Sequence, residues 1–322
     1  MSKKIRWGIM STAQIGENRL IPAIRKSATG EVVAVASRDL AKATEFARKL
    51  DIPQAFGSYE ALLACPDVDA IYCPLPTGMH KEWCLKSAAA GKPMLCEKPL
   101  CVNREDAETV FRAFDAAGLL ISEAYMYLFH PRNQRVRELV QSGAIGQLRS
   151  IEATFHVALP RSDIRYRPEL GGGAVLDLGC YCVGIARLIA GCEPTQVKAL
   201  AHIGSESGVD ETFVGCLEFP EQVFATFACS MTTAFDCRYT VYGTDGMLRI
   251  GRGGMIAWPG ESFEIEIIKG DEREVVVIED CDHYALLVEA FNQAMLKGEK
   301  QVVPHAESLA NLDVLDRLRA SL

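Results

Sequence analysis

The chain has 322 residues, enough for two domains at roughly 150 residues each. It is 49% hydrophobic and 24% charged, the make-up of a globular protein whose core needs no covalent staple. The formal net charge is −8 with no basic block, which argues against nucleic acid as the main partner, because phosphate backbones are held by Lys/Arg patches.

Met1 to Arg6 is basic but runs into a short strand rather than a signal-peptide core. No uninterrupted run of about 18 apolar residues, the length of a membrane span, occurs. These features predict a cytoplasmic protein with no membrane partner. The 12 cysteines show neither a C-x-x-C pair nor paired zinc spacing, and many sit in apolar runs. They read as small hydrophobes in a reducing compartment, with no metal site expected.

In chain order, Ile5 to Met10 predicts a buried strand and Ser11 to Gly16 a turn of small residues. Glu17 to Ser27 follows, with Leu20, Ile21 and Ile24 at helical spacing. Glu31 to Ser37 reads as a second strand and Leu40 to Leu50 as a helix capped by Asp39. Ser58 caps a short helix, Ala70 to Cys73 is a third strand, and His80 to Ala90 is a helix closed by Gly91. Met94 to Glu97 is an apolar strand ending in Glu97-Lys98-Pro99, where Pro99 restricts the backbone of Lys98. A helix over Arg104 to Ala117 and a strand over Leu119 to Glu123 complete the rhythm. This alternation predicts an α/β, doubly wound parallel sheet over residues 1–124. Right-handed crossovers bring the turns at 11–16, 37–39, 74–78 and 97–99 to one edge.

After residue 125 the rhythm changes. Helical periodicity covers Asn133 to Ser142, Ala174 to Ala190, His283 to Lys297 and Ala306 to Leu322. Between Gln196 and Ile278 the segments are strand-like with little helix. Residues 125–322 therefore predict a second α/β domain with a large, open, mostly antiparallel sheet. Val223, Phe224, Ala225, Phe227 and Ala228 are apolar on both faces, whereas a half-solvated strand alternates. That predicts a covered second face and a homodimer through this sheet. The rings of Trp7, Trp83 and Trp258 read as packing.

Three stretches carry chemistry. A G-x-G-x-x-G dinucleotide fingerprint, aligned on the first strand and helix, falls on Ser11, Ala13 and Gly16. Small residues there let backbone approach a pyrophosphate, so Ser11, Thr12, Ala13 and Ile15 are cofactor candidates. The second strand ends in Ser37-Arg38 where an NAD site would place an acid. A hydroxyl and a guanidinium suit a 2′-phosphate instead, which points to NADP, with NAD as the alternative. Lastly, Gly171-Gly172-Gly173 precedes Asp177 and Tyr181, whose i,i+4 spacing puts them on one face of a regular helix. A Tyr beside an ammonium has a lowered pKa and serves in proton transfer.

Ser-Thr-Ala-Gln-Ile-Gly (11–16), Leu-Pro-Thr-Gly-Met-His (75–80), Cys-Glu-Lys-Pro-Leu (96–100), Ser-Glu-Ala-Tyr-Met-Tyr-Leu-Phe-His-Pro (122–131) and Glu-Leu-Gly-Gly-Gly-Ala-Val-Leu-Asp-Leu-Gly-Cys-Tyr-Cys-Val (169–183) together resemble the Gfo/Idh/MocA oxidoreductase family. The Tyr form of the last block is similar to its dihydrodiol and D-xylose dehydrogenase branch. The resemblance implies a Rossmann domain plus a sheet domain that forms dimers. It implies Lys98 as catalytic lysine with Glu97 beside it, and Tyr181 where much of the family has a catalytic His. It places Leu75, Pro76, Thr77 and His80 on the cofactor loop, and Asp177, Arg165 and Tyr127 toward substrate. Gly184 stands where His-type members often carry an Asp, and Leu128 where close relatives commonly have Arg. The implied activity is NADP-dependent hydride transfer with a sugar hydroxyl or carbonyl. A trans-dihydrodiol substrate, or a non-catalytic NADP-binding sensor, are the alternatives.

Overall fold

The computed structural model describes residues 4–257 and 263–322, so Trp258 lies outside the described residues. The chain falls into two compact units: 1–126 with His283–Leu309, and Tyr127–Asp282 with Ala310–Leu322.

In the first unit, β1 (Ile5–Met10), β2 (Gly30–Ala36), β3 (Gln54–Phe56), β4 (Ala70–Cys73), β5 (Met94–Cys96) and β6 (Ile121–Glu123) alternate with α1 (Ile21–Lys26), α2 (Leu40–Lys49), α3 (Tyr59–Ala64), α4 (Thr77–Ala89) and α5 (Arg104–Ala117). All strand pairs are parallel, in the order β3-β2-β1-β4-β5-β6. The strand order reverses between β1 and β4, and such a switch point opens a crevice at the strand carboxyl ends. Strands β4, β5 and β6 are fully buried, as expected of a parallel sheet covered on both faces. Asp39 accepts from Ala41 N and Lys42 N, so it caps α2 as its sequence position predicts.

The second unit holds α6 (Pro131–Gln141), β7 (Leu148–Ala158), α7 (Cys180–Ala190), β8 (Gln196–Ile203), β9 (Asp210–Phe219), β10 (Val223–Ser230), β11 (Thr232–Gly243), β12 (Met247–Ile250), β13 (Phe263–Lys269) and β14 (Glu272–Ile278). The sheet order is β14-β13-β12-β11-β7-β10-β9-β8, with only β7 and β10 parallel. Helix α7 covers one face, burying Val183, Ile185 and Ile189 near Phe155 and Phe227. The apolar stretch Pro168–Ala190 has the length of a membrane span, but 83% of its apolar window is buried inside the protein, which makes it a core helix. The other face is open: Leu200 pairs with Val214 and Val214 with Ala228, and Leu200 is 77% exposed. Strand β10 alternates after all. Val223, Ala225 and Phe227 are buried, while Phe224 is 49% exposed on the open face.

One difference from the sequence expectation concerns the chain's return. Helix α8 (His283–Lys297) belongs to the first unit, not to a continuous second domain, and α9 (His305–Ala320) starts there too. Phe291 packs on Trp7 with ring centroids 5.0 Å apart, and Trp7 Nε1 donates to Asn292 Oδ1 at 3.0 Å. Ser27 and Thr29 hydroxyls donate to Glu289 at 2.6 and 3.0 Å. Leu287, Val288 and Phe291 are fully buried, each contributing about 1.5–3 kcal/mol by leaving water.

Candidate active site

The first unit gathers the cofactor candidates at the carboxyl ends of its strands. Ser11 leaves β1 with φ 151°, a conformation that favours glycine, so a serine here holds the first fingerprint turn at some cost in strain. Its Oγ accepts the Ala13 N–H at 3.1 Å. Glu17 N–H bonds to Ala13 O, placing Ala13 at the helix cap, where it has no side chain to take the free N–H groups. A π turn, Gly16–Leu20, then leads into α1. Helix α4 likewise opens without a side-chain cap, whereas α2, α3 and α5 are capped by Asp39, Ser58 and Asn103. The two helices flanking the switch point thus keep unclaimed N–H groups, which fit a pyrophosphate. Ser37 is buried and its Oγ accepts the Asp39 N–H at 3.3 Å. Exposed Arg38 lies near the Tyr59 hydroxyl, whose pKa burial raises and the Arg38 charge lowers. Leu75 is buried, while Thr12, Ile15, Pro76 and Thr77 are half-buried.

His80 is placed differently from a cofactor ligand. It is 1% exposed, with Nε2 2.7 Å from Leu75 O and Nδ1 3.0 Å from Pro99 O. Its ring sits between the Leu75 and Pro99 carbonyls, behind the Lys98 loop. The donor atoms of Cys73, His80 and Cys96 lie within 4.8 Å of one another. Burial lowers the His80 pKa and drives the Cys96 thiol well up, and a neutral imidazole can donate to only one of the two carbonyls at a time.

Lys98 is half-buried at the end of β5, and the Lys98-Pro99 peptide is cis. The backbone around it is fixed by side chains from several elements. Tyr72 OH donates to Glu97 Oε1 at 2.6 Å, and Glu97 Oε2 accepts the Lys98 N–H at 3.3 Å. Burial, then the Glu97 charge, holds the Tyr72 phenol well above its ordinary pKa, so it stays a donor. Glu123, which lies in the family-like block 122–131 but carries no implied role there, accepts the Leu100 N–H at 2.8 Å. Its position was a further signal: a carboxylate closing a fully buried strand, in register with Cys96.

In the second unit, Asp177 lies in a second π turn, Val175–Gly179, which runs into α7. The turn is wider than a regular α-helix turn, yet four residues still complete about one revolution, so Asp177 and Tyr181 stay on roughly one face. Asp177 pairs with Arg165, whose Nε donates at 2.7 Å. The Asp177 charge raises the Arg165 pKa further, and Asp163 accepts from the same guanidinium. The two substrate candidates therefore form one ion pair. Gly172 and Gly173 make this approach possible. A Cβ on Gly172 would overlap the Arg165 carbonyl oxygen, and one on Gly173, at φ +119°, would overlap Asp210 Oδ1. Asp210, also missed in the sequence, accepts the Val175 N–H at 2.7 Å and caps this helix, with burial pushing its carboxyl up to about 6.

Tyr181 is 4% exposed, with Tyr127 edge-on at 5.8 Å and Phe155 tilted at 5.5 Å between ring centroids. Tyr127 is fixed in turn, since Asn133 Nδ2 donates to its carbonyl at 2.9 Å and Tyr239 OH donates to Asn133 Oδ1 at 2.7 Å. The Tyr127 hydroxyl fills the space that a side chain at Gly184 would need. That explains the missing Asp at Gly184: tyrosine at 127 leaves no room for it.

A doubly wound sheet with uncapped helices at its switch point defines a dinucleotide-dependent oxidoreductase fold. Residues 5–125 match the model of the oxidoreductase family with an NAD-binding Rossmann fold, and 133–249 match the GFO/IDH/MocA C-terminal domain. The chain is 38% identical to D-xylose 1-dehydrogenase (NADP(+)) 2 of Haloferax volcanii, covering 98% of this chain and 96% of that protein. It is 33% identical to trans-1,2-dihydrobenzene-1,2-diol dehydrogenase of Macaca fascicularis, covering 99% and 97%. Among solved structures it resembles KijD10, a 3-ketoreductase from Actinomadura kijaniata in complex with NADP and TDP-benzene, with TM-score 0.95, 33% identity and coverage of 99% and 98%. The chain belongs to the Gfo/Idh/MocA oxidoreductase family.

The contact between Gly184 and Tyr127 gives a direct test. Gly184→Ala should destabilise the protein by about 1–3 kcal/mol, because the Tyr127 ring end, packed edge-on against buried Tyr181, must shift to admit the methyl group. Equal denaturation midpoints for variant and parent would remove this packing role.

Proposed function

We propose that the protein is an NADP-dependent oxidoreductase moving a hydride between nicotinamide and a sugar hydroxyl or carbonyl. The observation that carries this is similarity along nearly the whole chain to an NADP-dependent D-xylose dehydrogenase and to a ketoreductase in complex with NADP. Ser11, Thr12, Ala13, Ile15, Leu75, Pro76 and Thr77 would hold the dinucleotide, and Ser37 with Arg38 its 2′-phosphate. When bound, the nicotinamide supplies the hydride donor or acceptor. Tyr181 moves the substrate hydroxyl proton, and the Lys98 ammonium lowers the phenol's pKa and stabilises oxyanion character. Asp177 and Arg165 act as a preformed pair offering one acceptor and one donor to substrate hydroxyls, beside Tyr127. The protein works in the cytoplasm, where its 12 free cysteines stay reduced.

The open sheet face bears Leu200, Val214 and Phe224 at 77%, 41% and 49% exposure, an apolar patch suited to a second copy of the chain. Light scattering should return twice the 35.3 kDa chain mass. A monomer mass at micromolar concentration would discard the dimer.

An absorbance screen at the reduced-nicotinamide band across aldoses, keto-sugars and trans-dihydrodiols should show turnover with sugars. Preference for dihydrodiols, the substrate class in the macaque relative's name, would replace the substrate assignment. Lys98→Met and Tyr181→Phe should each lower kcat by about 10²–10⁴ while NADP still binds. Near-parental turnover in either variant would take that residue out of the chemistry. Arg38→Ala should weaken NADP binding much more than NAD binding, and equal losses would reject the 2′-phosphate role.

A further inference from the structure

Glu123 is a buried carboxyl that the proposed chemistry does not use. It is 1% exposed at the end of β6. One oxygen, Oε1, accepts the Leu100 N–H at 2.8 Å, and the buried Ser308 side chain of α9 lies close enough to favour the carboxylate form. Among the described residues, Oε2 has no hydrogen-bond partner although it is out of contact with water. Two charges act on it. The Lys98 ammonium favours its carboxylate form, and Glu307 on α9 disfavours it. The remaining titratable neighbours are thiols, Cys101 on the loop after Leu100 and Cys96 opposite on β5, and burial keeps both protonated.

We propose that Glu123 is a positioning residue for Lys98: it fixes the Lys98–Leu100 backbone through the Leu100 N–H and supplies the counter-charge that keeps the Lys98 side chain an ammonium. A half-satisfied carboxyl in the interior is costly. Hydrophobic packing alone would put an apolar residue or a glutamine here. A carboxyl is useful at this point because its charge reaches a group that the backbone contact cannot. Burial raises its pKa to about 7 against the pull of Ser308, the Leu100 N–H and Lys98. The sign follows. Below that value Glu123 is neutral and only holds the loop. As pH rises through it, the group gains charge, and Lys98 then keeps its proton to higher pH than it would beside an uncharged side chain.

The test reads Lys98 without substrate, so it stands apart from the proposed reaction. Competitive acylation across pH, followed by peptide mass spectrometry, gives the midpoint of Lys98 in the full-length protein. In Glu123→Gln that midpoint should fall by about one pH unit. In Glu123→Asp, which keeps the charge, it should return toward the parent. Coupling of this kind is reciprocal. Lys98→Met should therefore raise the Glu123 titration seen by carbon NMR of labelled glutamate, an arm that holds even if Glu123→Gln fails to fold. Unmoved midpoints in these variants would reduce Glu123 to a structural acceptor and overturn the proposal. The kinetic arm rests on the role given to Lys98 above: the alkaline limb of kcat should move down with the Lys98 midpoint in Glu123→Gln. A shifted midpoint with an unmoved limb would uphold the coupling and count instead against Lys98 in the reaction.

Discussion

The loop that carries Lys98 is held by its backbone, and the rest of the first unit is arranged to make that possible. A lysine side chain has four rotatable bonds and loses up to about 2 kcal/mol of rotamer entropy when fixed. Its ammonium is placed reproducibly only if the chain beneath it does not move. Here the loop is gripped by Glu97 on the Lys98 N–H, by His80 on the Pro99 carbonyl and by Glu123 on the Leu100 N–H. Each net contribution is about 1 kcal/mol, yet leaving any buried partner unmet costs more. The grip requires β4, β5 and β6 to end at one level, and the in-register pairs Cys73 with Cys96 and Cys96 with Glu123 provide that.

The second unit solves the same problem with aromatic surface. Tyr181 is wedged by Tyr127 and Phe155, and Tyr127 is fixed by Asn133 and Tyr239. A π turn opens the helix that bears the candidate residues in each unit, Gly16–Leu20 in one and Val175–Gly179 in the other. Such turns are uncommon in ordinary helices and recur at functional positions. Each widens the helix near its N-terminus, where a regular spiral would set the following side chains at a different angle.

The parallel sheet was legible because buried strands and amphipathic helices alternate with turn residues at every junction, and Asp39 announced its helix by its position. The return of α8 was not, since its apolar stripe is that of any half-buried helix and nothing local records which sheet it covers. The apolar run in β10 did not say what covers its second face, since within one chain Phe224 stays 49% exposed while Val223, Ala225 and Phe227 are buried. Lys98 and Tyr181 were legible as motif residues. Their supports were not: Glu123 and Asp210 act through single backbone contacts made across the fold. The pairing of Arg165 with Asp177 depends on a loop path that only Gly172 and Gly173 permit.

The contact between Trp7 and Asn292 spans 285 residues of chain. A ribosome adding about 5–20 residues per second needs on the order of 15–60 s to bridge that interval. Throughout it the nucleotide-binding sheet is present on the nascent chain while the apolar side around Trp7, Ile21 and Ile24 waits for its cover. The sheet is thus covered long after its first strand is made, and its open face is a natural client for chaperones that shield hydrophobic surface during translation.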